Sequence, residues 1–172
     1  LATVMNIIHA GRSHQRRLTI IEGLTSAEIR DAILTNENFA GDITVTLNEG
    51  SLLPETYFYT HGTSRDAMLT RMQEKRELAL AEAWIDRAPD LPYKTPGDAL
   101  ILASIIELET GDSAERLEVA GVFVNRLKRG MRLQSDPTVL YGVEGNANRP
   151  IRRSDLKRKT EWNTYVIKGL PK

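Results

Sequence analysis

Hydrophobic residues recur along most of the chain at the spacing of amphipathic helices, with short alternating stretches between them. The most apolar run is predicted to form a helix from its N-cap, Asp98, to Thr110, with Gly111 beyond it in a left-handed conformation. Further helices are predicted after the capping-box pair Thr25 and Glu28, over residues 64–87, and over residues 114–129 with Leu117, Ala120, Val124 and Leu127 facing inward. Alternation predicts strands over residues 16–21 and 43–47. The predicted fold class is therefore α+β, mainly helical with a small β-sheet.

The first 38 residues are predicted to form a small unit of their own. They combine a helix ending at Gly11, the strand at 16–21, and a helix that follows the turn Glu22-Gly23-Leu24-Thr25. This pattern looks like part of a carbohydrate-binding module of the LysM type. Short strand–helix units occur in many folds, so a purely structural role is an equally good interpretation.

Two carboxylates end the apolar helix, and helical geometry predicts different surroundings for them. Because each residue advances by about 100°, Glu109 lies within the apolar stripe, whereas Glu107 lies on the opposite side. A carboxylate held against apolar walls loses hydration, which raises its pKa and suits it to general acid catalysis. Glu109 is therefore the candidate catalytic acid. The alternative is that Glu109 marks the end of the buried stripe, where it extends into solvent or pairs with an arginine.

Several polar and aromatic residues have the chemistry to bind a sugar. The segment Gln134-Ser135-Asp136 carries compact donors and acceptors of the kind that hold hydroxyl and acetamido groups, although capping and turn formation would also account for them. Asn125 lies near the end of a predicted helix, and Asn163 and Tyr165 lie together near the end of the sequence. Tyr57 belongs to a predicted loop rich in Gly, Pro and aromatic residues, whose rings either line a groove for sugars or fill the core.

Composition and charge argue against several classes of function. The 172 residues are expected to form one domain, or one domain and a small appendage. With 23 basic and 23 acidic residues the net charge is zero, and the basic run at 149–159 lacks stacking aromatics, so no nucleic-acid partner is expected. The absence of cysteine and the scatter of the three histidines predict neither a metal site nor a cofactor. No apolar run reaches transmembrane length.

Several stretches together closely resemble the bacterial endolytic murein transglycosylases. They are Leu102–Thr110, Val122–Leu127, Met131–Thr138 and Asn163–Tyr165, with further similarity in the turn at 22–25 and the segment 49–57. The resemblance implies a LysM-like subdomain that includes residues 1–38, and a catalytic transglycosylase domain over residues 39–172 that is truncated at its C-terminus. It also implies a single-pass anchor in the inner membrane, outside this sequence, with the catalytic domain in the periplasm.

Carried over residue by residue, the resemblance assigns catalysis to Glu109, the glutamate followed by threonine. The implied reaction cleaves the bond between N-acetylmuramic acid (MurNAc) and N-acetylglucosamine (GlcNAc) within nascent peptidoglycan strands. It forms 1,6-anhydro-MurNAc ends, which terminate strand elongation, and it requires neither a metal nor a cofactor. The residues expected to contact the substrate are Gln134, Ser135, Asp136, Asn125, Asn163, Tyr165 and Tyr57.

Two other functions remain open at this point. The chain could be a non-catalytic peptidoglycan-binding or scaffold protein that keeps the fold for recruitment. It could also be a lysozyme-type muramidase, which differs in using water as the nucleophile. In each case the expected partners are peptidoglycan glycan strands, and for the transglycosylase also the peptidoglycan synthases of the elongation machinery.

Overall fold

The computed structural model describes Met5, His9, residues 13–141, Val143 and residues 149–172. These residues form an α+β structure, and the chain divides into two compact units, Leu1–Ala79 and Leu80–Lys172. The strands are β1 (Arg16–Thr19), β2 (Phe39–Ala40), β3 (Thr56–Tyr59) and β4 (Thr63–Ser64). The helices are α1 (Ser26–Thr35), α2 (Arg65–Ile85), α3 (Pro96–Glu109), α4 (Arg116–Lys128), α5 (Asp136–Tyr141) and α6 (Arg153–Leu156). Apart from Met5 and His9, the predicted helix ending at Gly11 lies outside the described residues.

The first unit is built on two small sheets that pack against α1 and the start of α2. Strand β1 pairs antiparallel with β3, and β2 pairs parallel with β4. Helix α1 begins as predicted, because the Thr25 side chain accepts the Glu28 N–H while the Glu28 carboxylate accepts the Thr25 N–H. The core of the unit consists of Ile20, Ile29, Ile33, Phe39, Leu52, Tyr57, Tyr59, Met68, Leu69 and Met72.

The predicted strand over residues 43–47 is not a strand in the structure. Its alternation is nevertheless real, since Ile43, Val45 and Leu47 are half-buried against the core while the residues between them are exposed. The Asp66 carboxylate accepts the N–H groups of Thr44, at 2.8 Å, and Val45, at 3.2 Å. A side chain on α2 thus satisfies backbone donors that a neighbouring strand would otherwise satisfy.

The segment predicted to be a loop around Tyr57 contains β3. Leu18 of β1 lies opposite Tyr57 in the antiparallel register, and alternation along β3 buries Tyr57 and Tyr59 while leaving Phe58 59% exposed. Because β3 lies beyond residue 38 and β1 before it, the core of the first unit includes residues from both sides of the predicted domain boundary. The boundary itself stays a prediction.

The second unit is helical and is centred on α3. Its core consists of Leu102, Ile105, Phe123 and Leu133, with Tyr93, Ile101, Ile106, Val119, Val124, Leu127 and Leu170 packed around them. On α4 the prediction that Leu117 faces inward is wrong, because Leu117 is 85% exposed and Phe123 occupies the core instead. No helix in the described ranges is long and apolar enough to cross a membrane.

Both ends of α3 differ in detail from the prediction. The N-cap is Thr95, whose side chain accepts the Asp98 N–H. Asp98 is not the cap but the N3 residue, the third of the helix, which completes the capping box with Thr95. At the other end Thr110 is the C-cap in an extended conformation, with φ of −136°. Gly111 is not in the left-handed region, so the helix ends without the glycine motif that was predicted.

Candidate active site

The turn that follows α3 fixes the position of Glu109, the last residue of the helix. Thr110 is buried, and its hydroxyl donates to the Glu115 carboxylate at 2.8 Å while accepting the Asp112 N–H at 3.1 Å. The Asp112 carboxylate in turn accepts the Ala114 N–H at 2.9 Å. These side-chain bonds satisfy the polar groups of the turn and hold the end of α3 in place.

The two carboxylates at the end of α3 do not have the surroundings that were predicted. Glu109 follows Leu102 and Ile105 on the buried face, as expected, but it is exposed because it is the final residue of the helix. Glu107 is the more enclosed of the two: its side chain is 28% exposed and pairs with Arg116 at 2.8 Å. The expectation that apolar walls surround Glu109 is therefore wrong, and the alternative of a stripe that ends in solvent describes the structure better.

A buried serine orients the exposed carboxylate. Ser135 has no exposed surface, and its hydroxyl donates to Glu109 Oε2 at 2.7 Å. The Ser135 N–H donates to Thr164 Oγ1 at 2.9 Å, and the Ser135 carbonyl accepts the Thr138 hydroxyl at 2.6 Å. The hydroxyls of Thr138 and Thr164 lie 2.8 Å apart, which closes the network. Ser135 is therefore held on both sides, and its hydroxyl is committed to the Glu109 carboxylate.

The residue before this serine adopts an unusual backbone conformation. Gln134 has φ of 55°, in the left-handed region that non-glycine residues rarely occupy. Its N–H donates to the Thr164 carbonyl at 3.2 Å, and the preceding Leu133 is fully buried with its carbonyl accepting a hydrogen bond from Arg126. These contacts maintain a strained conformation that leaves the Gln134 side chain exposed and turns Ser135 inward.

A second acidic residue lies on the other side of the same segment. The Tyr165 hydroxyl donates to the exposed Asp136 carboxylate at 2.6 Å. This bond, burial, and the negative charges of Asp136 and Glu109 raise the pKa of Tyr165 to about 12, against a smaller opposing effect of Arg126. Tyr165 therefore keeps its proton at neutral pH.

Asn163 is placed differently from the other predicted substrate contacts. It is 1% exposed, and its amide nitrogen donates to the carbonyl oxygens of Asp155 at 3.0 Å and Arg158 at 2.7 Å. Its side-chain oxygen accepts the Tyr165 N–H at 3.0 Å. As packed here, Asn163 has no surface for a ligand, and it supports Tyr165 from behind.

Tyr57 also lies in a hydrophobic core rather than on a surface. Its ring is 1% exposed, and its hydroxyl donates to the Leu53 carbonyl at 2.7 Å. Burial, together with the charge of Glu55, raises the pKa of Tyr57 to about 12. The core-filling interpretation therefore accounts for this tyrosine, and a substrate contact by Tyr57 has no support in the geometry.

The structure brings together Glu109, Gln134, Ser135, Asp136 and Tyr165 in the second unit. Residues that sequence reasoning did not select support them: Thr138 and Thr164 bind Ser135, and Arg126 donates to the carbonyl of Leu133. Thr138 lies three positions after Ser135, a spacing at which a threonine hydroxyl often bonds to the backbone. This spacing is the one feature of the sequence that could have predicted its contact with Ser135. Among the residues that the structure describes, no group of three His, Cys, Asp or Glu side chains could hold a metal ion. The arrangement offers one well-oriented carboxylate, a neutral phenol, a second carboxylate and a guanidinium.

Comparison with known proteins gives consistent matches. The chain matches the YceG-like family over residues 1–172. It is 35% identical over 140 residues to the endolytic murein transglycosylase of Bacillus subtilis (strain 168), covering 80% of this chain and 37% of that protein. It is 33% identical over 128 residues to the endolytic murein transglycosylase of Streptococcus pneumoniae serotype 2 (strain D39), covering 71% of this chain and 22% of that protein.

A solved structure is also similar. The crystal structure of a YceG-like protein from Listeria monocytogenes matches with a TM-score of 0.68 and 25% identity, over 99% of this chain and 66% of that one. The chain spans only 22% to 37% of the length of the two transglycosylases named above. The family match, in contrast, extends over the whole sequence, and the chain therefore belongs to the YceG-like family.

Proposed function

We propose that this chain carries the glycan-cleaving site of an endolytic peptidoglycan lytic transglycosylase. The observation that carries the proposal is the Glu109 carboxylate, exposed to an incoming strand and held at 2.7 Å by the hydroxyl of the fully buried Ser135. A proton donor must reach the bridging oxygen of the substrate and keep its orientation while the bond breaks. Exposure gives the reach, and the buried network gives the orientation.

The reaction uses the same carboxylate twice. Glu109, protonated, first donates its proton to the oxygen that joins MurNAc C1 to GlcNAc, and the C1–O bond breaks with the electron pair leaving on that oxygen. The ionised Glu109 then accepts the proton of the MurNAc C6 hydroxyl as O6 bonds to C1, which closes the 1,6-anhydro ring. Because the nucleophile comes from the substrate, one carboxylate suffices where ordinary glycosidases use two.

The neighbouring polar groups suit the binding of the sugars. The exposed Gln134 amide offers both donors and an acceptor, and Asp136 accepts hydrogen bonds from hydroxyl groups. Tyr165 remains a neutral phenol, so it adds a hydroxyl to the site without adding negative charge. The acetamido group of MurNAc, held by these residues, is positioned to shield the positive charge that develops at C1.

A lysozyme-type muramidase is the second candidate, and the presence of Asp136 favours it. Asp136 accepts the Tyr165 hydroxyl and directly follows Ser135, which binds Glu109, so the site holds a second carboxylate that could activate water. The test is mass spectrometry of the muropeptides released from purified peptidoglycan by the chain and by its Glu109→Gln variant. Anhydro ends lost in the variant support the transglycosylase, and reducing ends support the muramidase. No product from either protein would leave a binding or scaffold role.

The first unit is proposed to bind glycan as a LysM-like subdomain. Its antiparallel β1–β3 pair and the adjoining helix α1 are consistent with such a unit, and Phe58 presents a ring that is 59% exposed on the outer face of β3. An exposed aromatic ring is suited to stack on the flat face of a sugar. Phe58, rather than the buried Tyr57, is therefore the aromatic contact expected in this unit.

The cellular setting is proposed from the resemblance alone. The chain would act on nascent strands in the periplasm, held at the inner membrane by an anchor outside this sequence. Its partners would be the peptidoglycan synthases that extend those strands. Retention of the chain by immobilised synthase, compared with a bare support, tests the partner assignment.

A further inference from the structure

A pocket of about 260 Å³ lies at the C-terminal end of α4. It is lined by Val122, Asn125, Arg126, Arg129 and Met131. The turn after α4 shapes it: Gly130 has φ of 63°, its N–H donates to the Leu127 carbonyl, and the Met131 N–H donates to the Arg126 carbonyl at 2.9 Å. This pairing ends the helix in a Schellman motif and brings Met131 back against it.

The pocket is cationic, with apolar walls. Two of its lining residues are arginines and none is acidic, while Val122 is 51% and Met131 46% exposed. Within the described part of the chain, the Arg129 side chain makes no hydrogen bond or ion pair. Arg126 donates through one nitrogen to the Leu133 carbonyl, which fixes its guanidinium and leaves its other donors available. These features suit a carboxylate that is attached to small apolar groups.

Arg126 connects this pocket to the candidate active site. It lines the pocket, its guanidinium binds the carbonyl just before Gln134, and its charge acts on the Tyr165 hydroxyl. Two residues after Leu133, the Ser135 hydroxyl donates to the Glu109 carboxylate at 2.7 Å. Because Arg126 and Glu109 both bind the short segment 133–135, a ligand bound at Glu109 lies within reach of the pocket if it branches by a few bonds.

We propose that the pocket binds the peptide that branches from MurNAc, through a glutamate carboxylate on the arginines and an alanine methyl group on Val122 and Met131. The proposal rests on the proposed function, since it takes the glycan strand as the substrate. The lactyl ether of MurNAc carries such a peptide directly beside the bond that Glu109 would cleave. Binding there favours strands that still carry acidic peptides and sets the register of cleavage.

The test compares two synthetic glycan fragments whose stem glutamate has either a free α-carboxylate or the corresponding amide. The wild-type chain should bind the free acid about threefold to fivefold more tightly, as expected for an ion pair that faces solvent. The Arg129→Ala variant should bind both fragments equally. Lys128→Ala is the matched control, because it removes the same charge from the neighbouring position at the end of α4 but not from the pocket, and it should keep the preference.

Calorimetry or fluorescence anisotropy measures these affinities without requiring turnover. Equal binding of acid and amide by the wild-type chain would overturn the proposal, and so would loss of the preference in Lys128→Ala. A third fragment with a diphosphate at its reducing end tests the other anion of a nascent strand, and a preference that follows the diphosphate instead of the peptide carboxylate also overturns it. If the preference is found but mass spectrometry detects no anhydro ends, the pocket assignment stands and the transglycosylase assignment fails.

Discussion

Replacing Glu109 or Glu107 by glutamine tests the proposed chemistry against a nearly identical control. The two residues lie two positions apart at the same end of α3, and each substitution removes one carboxylate at nearly constant size. Glu109→Gln keeps an oxygen that can accept the Ser135 hydroxyl but has no proton to transfer. Glu107→Gln loses its ion pair with Arg116 and leaves the proposed reaction centre unchanged.

The expected effects on stability are small and similar. The Arg116–Glu107 pair is solvent-accessible, with side chains 42% and 28% exposed, so its loss should cost about 0.2–1 kcal/mol. Weakening the Ser135–Glu109 bond from a charged to a neutral acceptor should cost about 1 kcal/mol, and the exposed site leaves no buried charge unpaired. A domain of ordinary stability, about 5–15 kcal/mol, stays folded after either change.

The expected effects on turnover are far apart. Loss of the general acid should slow release of anhydro-muropeptides by at least about a hundredfold, equivalent to roughly 2.7 kcal/mol in the barrier. Glu107→Gln should change the rate by less than about twofold, since Glu107 pairs with Arg116 and takes no part in the hydrogen bonds that hold Glu109. The assay is product release at saturating peptidoglycan, with urea unfolding of each variant in parallel. Equal losses of activity in the two variants would refute the assignment of Glu109.

Three further predictions follow from the packing. Thr164→Val should destabilise the chain by about 1–3 kcal/mol in urea unfolding and lower turnover, because the Ser135 N–H loses its acceptor, whereas Thr164→Ser should restore both; an active Thr164→Val would contradict the supporting role. The Arg149 guanidinium lowers the pKa of the buried Asp155 to about 2, so the stability it contributes is complete above about pH 4 and is lost as the pH falls through about 2. The difference in melting temperature between wild type and Asp155→Asn should therefore shrink over that range, and a constant difference would argue against the ion pair. Deleting residues 1–38 removes β1 and should unfold residues 39–79, measured by hydrogen exchange; retained protection there would instead support an independent LysM-like unit.

Local signals predicted the helices and the catalytic candidate. The capping box of Thr25 and Glu28 marks the start of α1, and the spacing of Leu102 and Ile105 places Glu109 on the buried face of α3. Exposure of Glu109 could not be predicted in the same way, because it depends on what packs beyond the end of the helix. Periodicity gives the direction of a side chain, whereas burial requires the neighbouring elements.

The features that periodicity did not predict depend on contacts distant in sequence. Ser135 and Thr164 are 29 positions apart, and no local pattern links a serine in a turn to a threonine near the end of the chain. The pairing of β1 with β3 likewise joins residues on both sides of a predicted boundary. In the segment at 43–47, the predicted alternation of buried and exposed residues is present, but the segment is not a strand. The Asp66 carboxylate of α2 accepts N–H groups that a neighbouring strand would otherwise accept.

The candidate site separates the group that would react from the groups that hold it. Glu109, Gln134 and Asp136 are exposed, whereas Ser135 and Thr164 have no exposed surface. An exposed acid can be replaced without leaving a cavity or an unpaired buried group, so its loss should affect catalysis more than folding.

The buried Ser135, Thr138 and Thr164 cannot be replaced so freely, because their hydroxyls satisfy one another and loss of a hydroxyl leaves a donor or acceptor unpaired. In such a site, substitutions at Thr138 and Thr164 are expected to lower stability, whereas substitutions at Glu109 are expected to lower activity. Glu109 would also need one fixed orientation for both of its proton transfers. Ser135 provides that orientation, because its N–H and its carbonyl are both hydrogen-bonded while its hydroxyl donates to Glu109. The strained Gln134 fits this interpretation, since its left-handed backbone turns Ser135 toward the core while keeping the glutamine amide at the surface.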